Sequence, residues 1–232
     1  MAAKKSVVDE LLPDGEEIPA FESRLRHNIV RMPVEIERAS GIVVNGRRIR
    51  SLIASTDVAL IHNCDADAVF AVYPFTAHRS ISSSIIRMAS IPVFCGVGGG
   101  ITRGMRSVYL ASDAESQGAM GVVLNTAFPN SDLRRVARTV DIPVVVTIVN
   151  DRDSVGARVR NGASIVNVAG GRETPELVAT IRKEFPHLPI MASGGKTGET
   201  IAATIAAGAN AIVYTPPSMS DLFGPLMEGY RA

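Results

Sequence analysis

From about residue 48 onward, hydrophobic positions fall into short, nearly continuous β-branched runs, and between them apolar residues recur every three or four positions. Unbroken apolar runs suit strands buried on both faces, as in a parallel sheet between helices, and a helical segment after each run makes a βα unit. Eight runs are visible, at residues 49–54, 68–73, 91–96, 121–124, 142–148, 164–168, 189–192 and 211–214. Eight such units predict a single (β/α)8 barrel. An open, doubly wound sheet fits the same alternation, but even spacing with no reversal of strand order suits closure better. Several units share Gly-Ala or Ala-Asp just before the strand (Ala66-Asp67, Gly118-Ala119, Gly162-Ala163, Gly208-Ala209). Glycine there ends the preceding helix in the left-handed conformation, and alanine packs closely at the barrel floor.

Two pieces precede the barrel. Residues 41–49 read as a hairpin covering the barrel's bottom, because Asn45-Gly46 supplies the two positive-φ residues of a type I′ turn. Residues 1–39 read as an N-terminal helical extension, leaving 40–232 for the barrel and its hairpin. In the extension Phe21, Leu25 and Ile29 recur on one helix face, with Arg24, Arg26, His27 and Arg31 around the remainder. A barrel already closes its own core, so this stripe needs another surface, either its own barrel's or a second copy's, and a homo-oligomer is expected.

Active sites of such barrels lie at the C-terminal ends of the strands. Two glycine turns stand there, Gly98-Gly99-Gly100 after the third run and Ser193-Gly194-Gly195 after the seventh, each leading into a helical pattern. Bare backbone N–H groups at a helix N-terminus favour an anion. Asn125 and Asn167 at strand ends are further binding candidates, since a buried amide is costly without partners. Ser218, beyond Pro216-Pro217, is another, because proline has no N–H to offer. For proton transfer the candidates are His78, on a loop overlooking the mouth, Asp57 and Lys196. Asp57 follows Ser55-Thr56 and equally suits the N-cap of the next helix. Lys196 equally suits a solvated helix start. Cys95, on a strand beside Gly96, reads as a small apolar packing residue.

The sequences Val97-Gly98-Gly99-Gly100-Ile101-Thr102-Arg103 and Met191-Ala192-Ser193-Gly194-Gly195 resemble the paired phosphate loops of the histidine-biosynthesis phosphoribosyl isomerase and cyclase barrels. More broadly they resemble the ribulose-phosphate-binding barrels. The resemblance implies a (β/α)8 fold and a phosphorylated sugar or sugar-derived ligand. It also implies a catalytic Asp at the ends of the first and fifth strands, and there the chain departs. Val149 stands where the second carboxylate belongs.

Composition narrows the classes further. Twenty-four basic against 23 acidic residues leave a net charge of +1, with no electrostatic footprint for nucleic acid or an anionic membrane. No apolar run is long enough to span a bilayer, and the N-terminus lacks a signal-peptide core, so a cytoplasmic protein is expected. Two cysteines make no disulfide framework and carry no metal-ligand spacing. Gly195-Lys196-Thr197 fails the P-loop spacing because Ile190 replaces the first glycine, and Ile101 replaces the third glycine of a dinucleotide fingerprint. Neither a cofactor nor a metal is expected. What remains is an enzyme on a small phosphorylated metabolite, a lyase or isomerase, with a non-catalytic phosphometabolite binder as the alternative and a hydrolase as a weaker one.

Overall fold

The computed structural model describes residues 29–231. Phe21, Leu25, Arg24, Arg26 and His27, and with them the expected apolar helix, lie outside the described residues. The chain forms a hairpin of β1 (Ile42–Val44) and β2 (Arg47–Ile49), then eight parallel strands alternating with helices. The strands are β3 (Ser51–Ile53), β4 (Ala68–Ala71), β5 (Val93–Gly98), β6 (Gly121–Leu124), β7 (Val144–Ile148), β8 (Ile165–Val168), β9 (Ile190–Ala192) and β10 (Ala211–Tyr214). Between and after them run α1 (Val58–His62), α2 (Arg79–Met88), α3 (Met105–Ser116), α4 (Asn130–Ala137), α5 (Val155–Arg160), α6 (Thr174–Glu184), α7 (Gly198–Ala206) and α8 (Met219–Arg231). Strands β3 to β10 pair in sequence order, and β10 closes on β3 through Val213 opposite Leu52. The expected (β/α)8 barrel is the observed fold.

Alternation along each strand divides the core in two. Leu52, Phe70, Phe94, Val123, Val145, Ile165, Met191 and Val213 fill the barrel interior, while their neighbours Val69, Cys95, Val122, Val146, Val166 and Ile212 face the helices. Ile42, Val44 and Ile49 of the hairpin join the interior cluster and close the barrel's bottom. Asn45 (φ 48°) and Gly46 (φ 79°) give the tight turn the sequence called for. Gly118, Gly162 and Gly208 likewise take positive φ, and the alanines after them are buried.

Residues just before the hairpin belong to the same packing. Val30 bridges Cys64, Met32 N–H donates to Asp65 at 2.6 Å, and Ile36 and Ala39 are buried. Ile36 lies in a short 3-10 turn, Val34–Arg38, whose Glu35 carboxylate rests against Gly198 at the start of α7, where a Cβ would fall 2.4 Å from its Oε1.

Candidate functional site

The C-terminal ends of the strands open into a cavity of about 470 Å³. Its floor comes from inward-facing strand residues, Phe70, Gly96, Val123, Thr147 and Asn167, and its rim from two loops. One rim is Val72 to Ala77 after β4. It is held by the Tyr73 hydroxyl oxygen, which accepts the His78 N–H at 2.9 Å. The other rim is the glycine segment at the end of β5, Gly98 to Thr102, with Asn125 beside it.

Asn167 is the most constrained polar group at this site. Thr147 and Asn167 are paired neighbours on β7 and β8, two residues beyond the inward-facing Val145 and Ile165, so both share the inner face. Asn167 is 3% exposed. Its Nδ2 reaches the Thr147 hydroxyl only at 3.5 Å, a long contact, and its Oδ1 has no partner among the described residues. An amide buried with an unsatisfied oxygen costs free energy, which a bound group would recover.

The triple glycine behaves differently from the sequence expectation of open loop amides. Strand β5 continues into Gly98, where a side chain does not fit: a Cβ there would lie 2.6 Å from the Phe128 ring and 2.8 Å from Leu124. Gly99 and Thr102 exchange N–H and carbonyl at 3.0 Å in both directions, closing a tight turn with Gly100 and Ile101 at its tip. The Gly99 N–H is therefore already paired. Gly104, which precedes α3, donates its N–H to Asp132 at 2.9 Å, so a carboxylate of the chain itself occupies that helix start. Arg103 donates its Nε–H to the Gly100 carbonyl at 2.6 Å and sets its charge beside the turn.

The second glycine turn does not border the cavity. Gly194 is buried against Ile212 and Ile201, and the Ser193 N–H donates to the Val168 carbonyl within the barrel. Gly195 (φ 86°) turns the chain toward α7, whose start is closed by the Thr197 and Thr200 capping box and faced by Glu35. Ser218 gives both its hydroxyl (2.6 Å) and its N–H (3.0 Å) to Asp221. Those two bonds hold the Asp221 carboxyl below the usual carboxylate range, and the Lys196 charge lowers it further.

The three proton-transfer candidates are dispersed. Asp57 caps α1, its carboxylate accepting N–H groups of Ala59 (2.8 Å) and Leu60 (3.3 Å). Lys196 is exposed near Asp221, and His78 is exposed at the start of α2, one residue beyond the cavity wall. None of the three lines the cavity, where Tyr73 is the only ionisable side chain among the described residues. Asp153, which sequence reasoning missed, sits in the loop after β7. It accepts the Thr126 hydroxyl at 2.5 Å and the Val149 N–H at 3.2 Å, and pairs with buried Arg158 at 3.8 Å. Arg158 in turn donates to the carbonyls of Thr126 and Phe128 and to Asn130 Oδ1, stapling the loop that carries Asn125 to the loop after β7. The family resemblance implies a carboxylate at position 149; Asp153 stands four positions further along the loop.

No protein-family model matches the sequence, and no curated protein matches it significantly. Solved structures do resemble the fold. A phosphonopyruvate hydrolase complexed with oxalate and Mg++ superimposes with a TM-score of 0.61 at 13% identity, covering 85% of each chain. A phosphoenolpyruvate phosphomutase from Streptomyces platensis subsp. rosaceus gives 0.57 at 11%, over 78% of this chain and 79% of that one. A 4-hydroxy-tetrahydrodipicolinate synthase from Methylacidiphilum fumariolicum SolV gives 0.55 at 18%, over 75% and 69%. At these identities the likeness is one of fold, that of a (β/α)8 barrel.

Proposed function

We propose that the chain is an enzyme acting on a small phosphorylated metabolite at the barrel mouth, by lyase or isomerase chemistry. The observation that supports it best is the cavity itself, with an underbonded amide in its floor and the glycine turn on its rim. In this reading the phosphoryl group rests on the tip Gly100-Ile101 beside Arg103, and the remainder of the molecule points down toward Thr147 and Asn167. Gly98 and Gly99 let the turn and Phe128 pack closely enough to build that rim. Proton movement falls to Tyr73: its oxygen already accepts from His78, which leaves the phenolic O–H to donate. By their names, the hydrolase, phosphomutase and synthase with similar barrels also act on small metabolites, an analogy of fold.

The shortage of ionisable groups favours a second reading, a non-catalytic metabolite binder, and turnover separates the two. The screen that tests both is thermal shift against phosphorylated metabolites. A ligand present at a hundred times its Kd should stabilise the fold by about 2.7 kcal/mol, a rise of roughly 5–10 °C for a chain of this size. Asn167→Leu should abolish most of that rise. Stabilisation of the variant equal to that of the parent, or none by any phosphorylated compound, would count against the proposal.

A further inference from the structure

We infer that the mouth takes a ligand whose buried end is an uncharged hydroxyl and whose body is apolar, a narrower class than phosphorylated metabolites in general. The inference rests on the mouth being the ligand site, as proposed above, and deepens it. Its first support is the floor. Among the described residues Asn167 Oδ1 lacks a donor, and the Thr147 hydroxyl is held only by a 3.5 Å contact. A ligand O–H bridging the two would donate to the amide oxygen and accept from the threonine. With the amide turned over, the same hydroxyl accepts from the Asn167 N–H instead, so a group that is donor and acceptor at once answers either orientation.

The second support is charge. Among the described residues, none of those that line the cavity is Lys, Arg, His, Asp or Glu. A carboxylate or phosphate at the floor would lose its water and gain no counter-charge, a penalty that two neutral hydrogen bonds do not offset. The anionic end of the ligand is thereby confined to the rim, and the buried end is neutral.

The walls supply the third support. Apolar side chains surround the opening: Phe70 and Val123 in the floor, and Val72, Pro74, Phe75 and Ile101 on the two rims. Phe75 is 80% exposed and Ile101 86%, on two different loops that face the same cavity. Large apolar side chains left bare around a concave opening gain by covering an apolar body.

Benzyl alcohol, benzoate and toluene share one apolar body and differ only in the head group, so they separate these terms. Each is titrated into the full chain and followed by amide and side-chain NMR shifts. Benzyl alcohol should bind at least about tenfold more tightly than benzoate, the discrimination expected of a buried neutral pair against a desolvated charge. In Asn167→Leu the preference should invert, with toluene binding as well as or better than benzyl alcohol. Thr147→Val, which preserves the side-chain shape, should weaken benzyl alcohol several-fold and serves if the leucine variant does not fold. Benzoate binding as tightly as benzyl alcohol, an unchanged head-group preference in both variants, or no shift at Asn167 with any probe would overturn the inference. A phosphate ester that still shifts the Gly99 to Ile101 amides in that last case would leave the proposed function standing, whereas silence from every compound would remove both.

Discussion

Cys95 shows how completely the strand faces differ at the level of single residues. It is fully buried on the outer face of β5, and burial pushes its thiol up to about 12, with a hydrogen bond to Ser82 pulling weakly the other way. The thiolate is the reactive form, so this cysteine is inert near neutrality. The packing role read from the sequence stands, and a nucleophile is absent there. The shift also has a consequence for stability. The unfolded chain releases that proton near pH 9.0, whereas the folded chain retains it. Above pH 9 the unfolded state therefore binds fewer protons, and stability falls through the window from 9 to 12 by at most about 1.4 kcal/mol per pH unit. Cys95→Ala should be less stable than the parent at pH 7, and the gap should narrow between pH 8 and 10.5 in urea titrations. A gap that stays constant with pH would show that the thiol is not desolvated as described.

Individual glycines were the least legible residues. The sequence presents Gly98 as an open amide, but its missing Cβ makes room for Phe128, a contact thirty residues away that no local pattern encodes. Asn167 was legible in part, because an amide inside an apolar run has to find partners. That its oxygen lacks one depends on where Thr147 stands, which only barrel closure fixes.

At the scale of elements, the strands followed from their apolar runs to within two residues at either end, since each is buried on both faces. The largest departure is β5, which extends to Gly98 instead of ending at position 96. The helix starts were harder to read. Asp57 and Ser218 look the same in sequence whether they bind a ligand or cap a helix, and here their side chains accept N–H groups at the starts of α1 and α8. Loops depend on still longer connections. Arg158 lies 32 residues from Thr126 along the chain yet donates to its carbonyl, and with Asp153 it fixes the rim beside Asn125. Removing one partner of a buried, hydrogen-bonded pair leaves the other charge uncompensated, so Arg158→Met should cost about 3 kcal/mol by chemical denaturation. A loss below about 1 kcal/mol would mean that the two loops hold their positions without the staple.

The whole molecule was the most legible level, because eight similar βα units leave few ways to bury a parallel sheet and closure removes its edges. The bottom hairpin was equally readable, since Asn-Gly between apolar runs specifies one turn. What the sequence could not convey is which of the two glycine turns faces the cavity. Both occupy equivalent positions after their strands, yet the segment after β5 lines the mouth and Gly194 packs outward against α7. Three carboxylates, Asp132, Glu35 and Asp221, stand at the remaining anion candidates, and they come from distant parts of the chain. The proposed function therefore puts the ligand at the β5 side of the mouth. NMR of the intact chain, titrated with whichever phosphorylated compound most raises its melting temperature, addresses that placement directly. Shifts should concentrate at Gly99, Gly100, Ile101, Thr147 and the Asn167 side chain; shifts confined to Gly194, Gly195, Lys196 and Ser218 would contradict that placement.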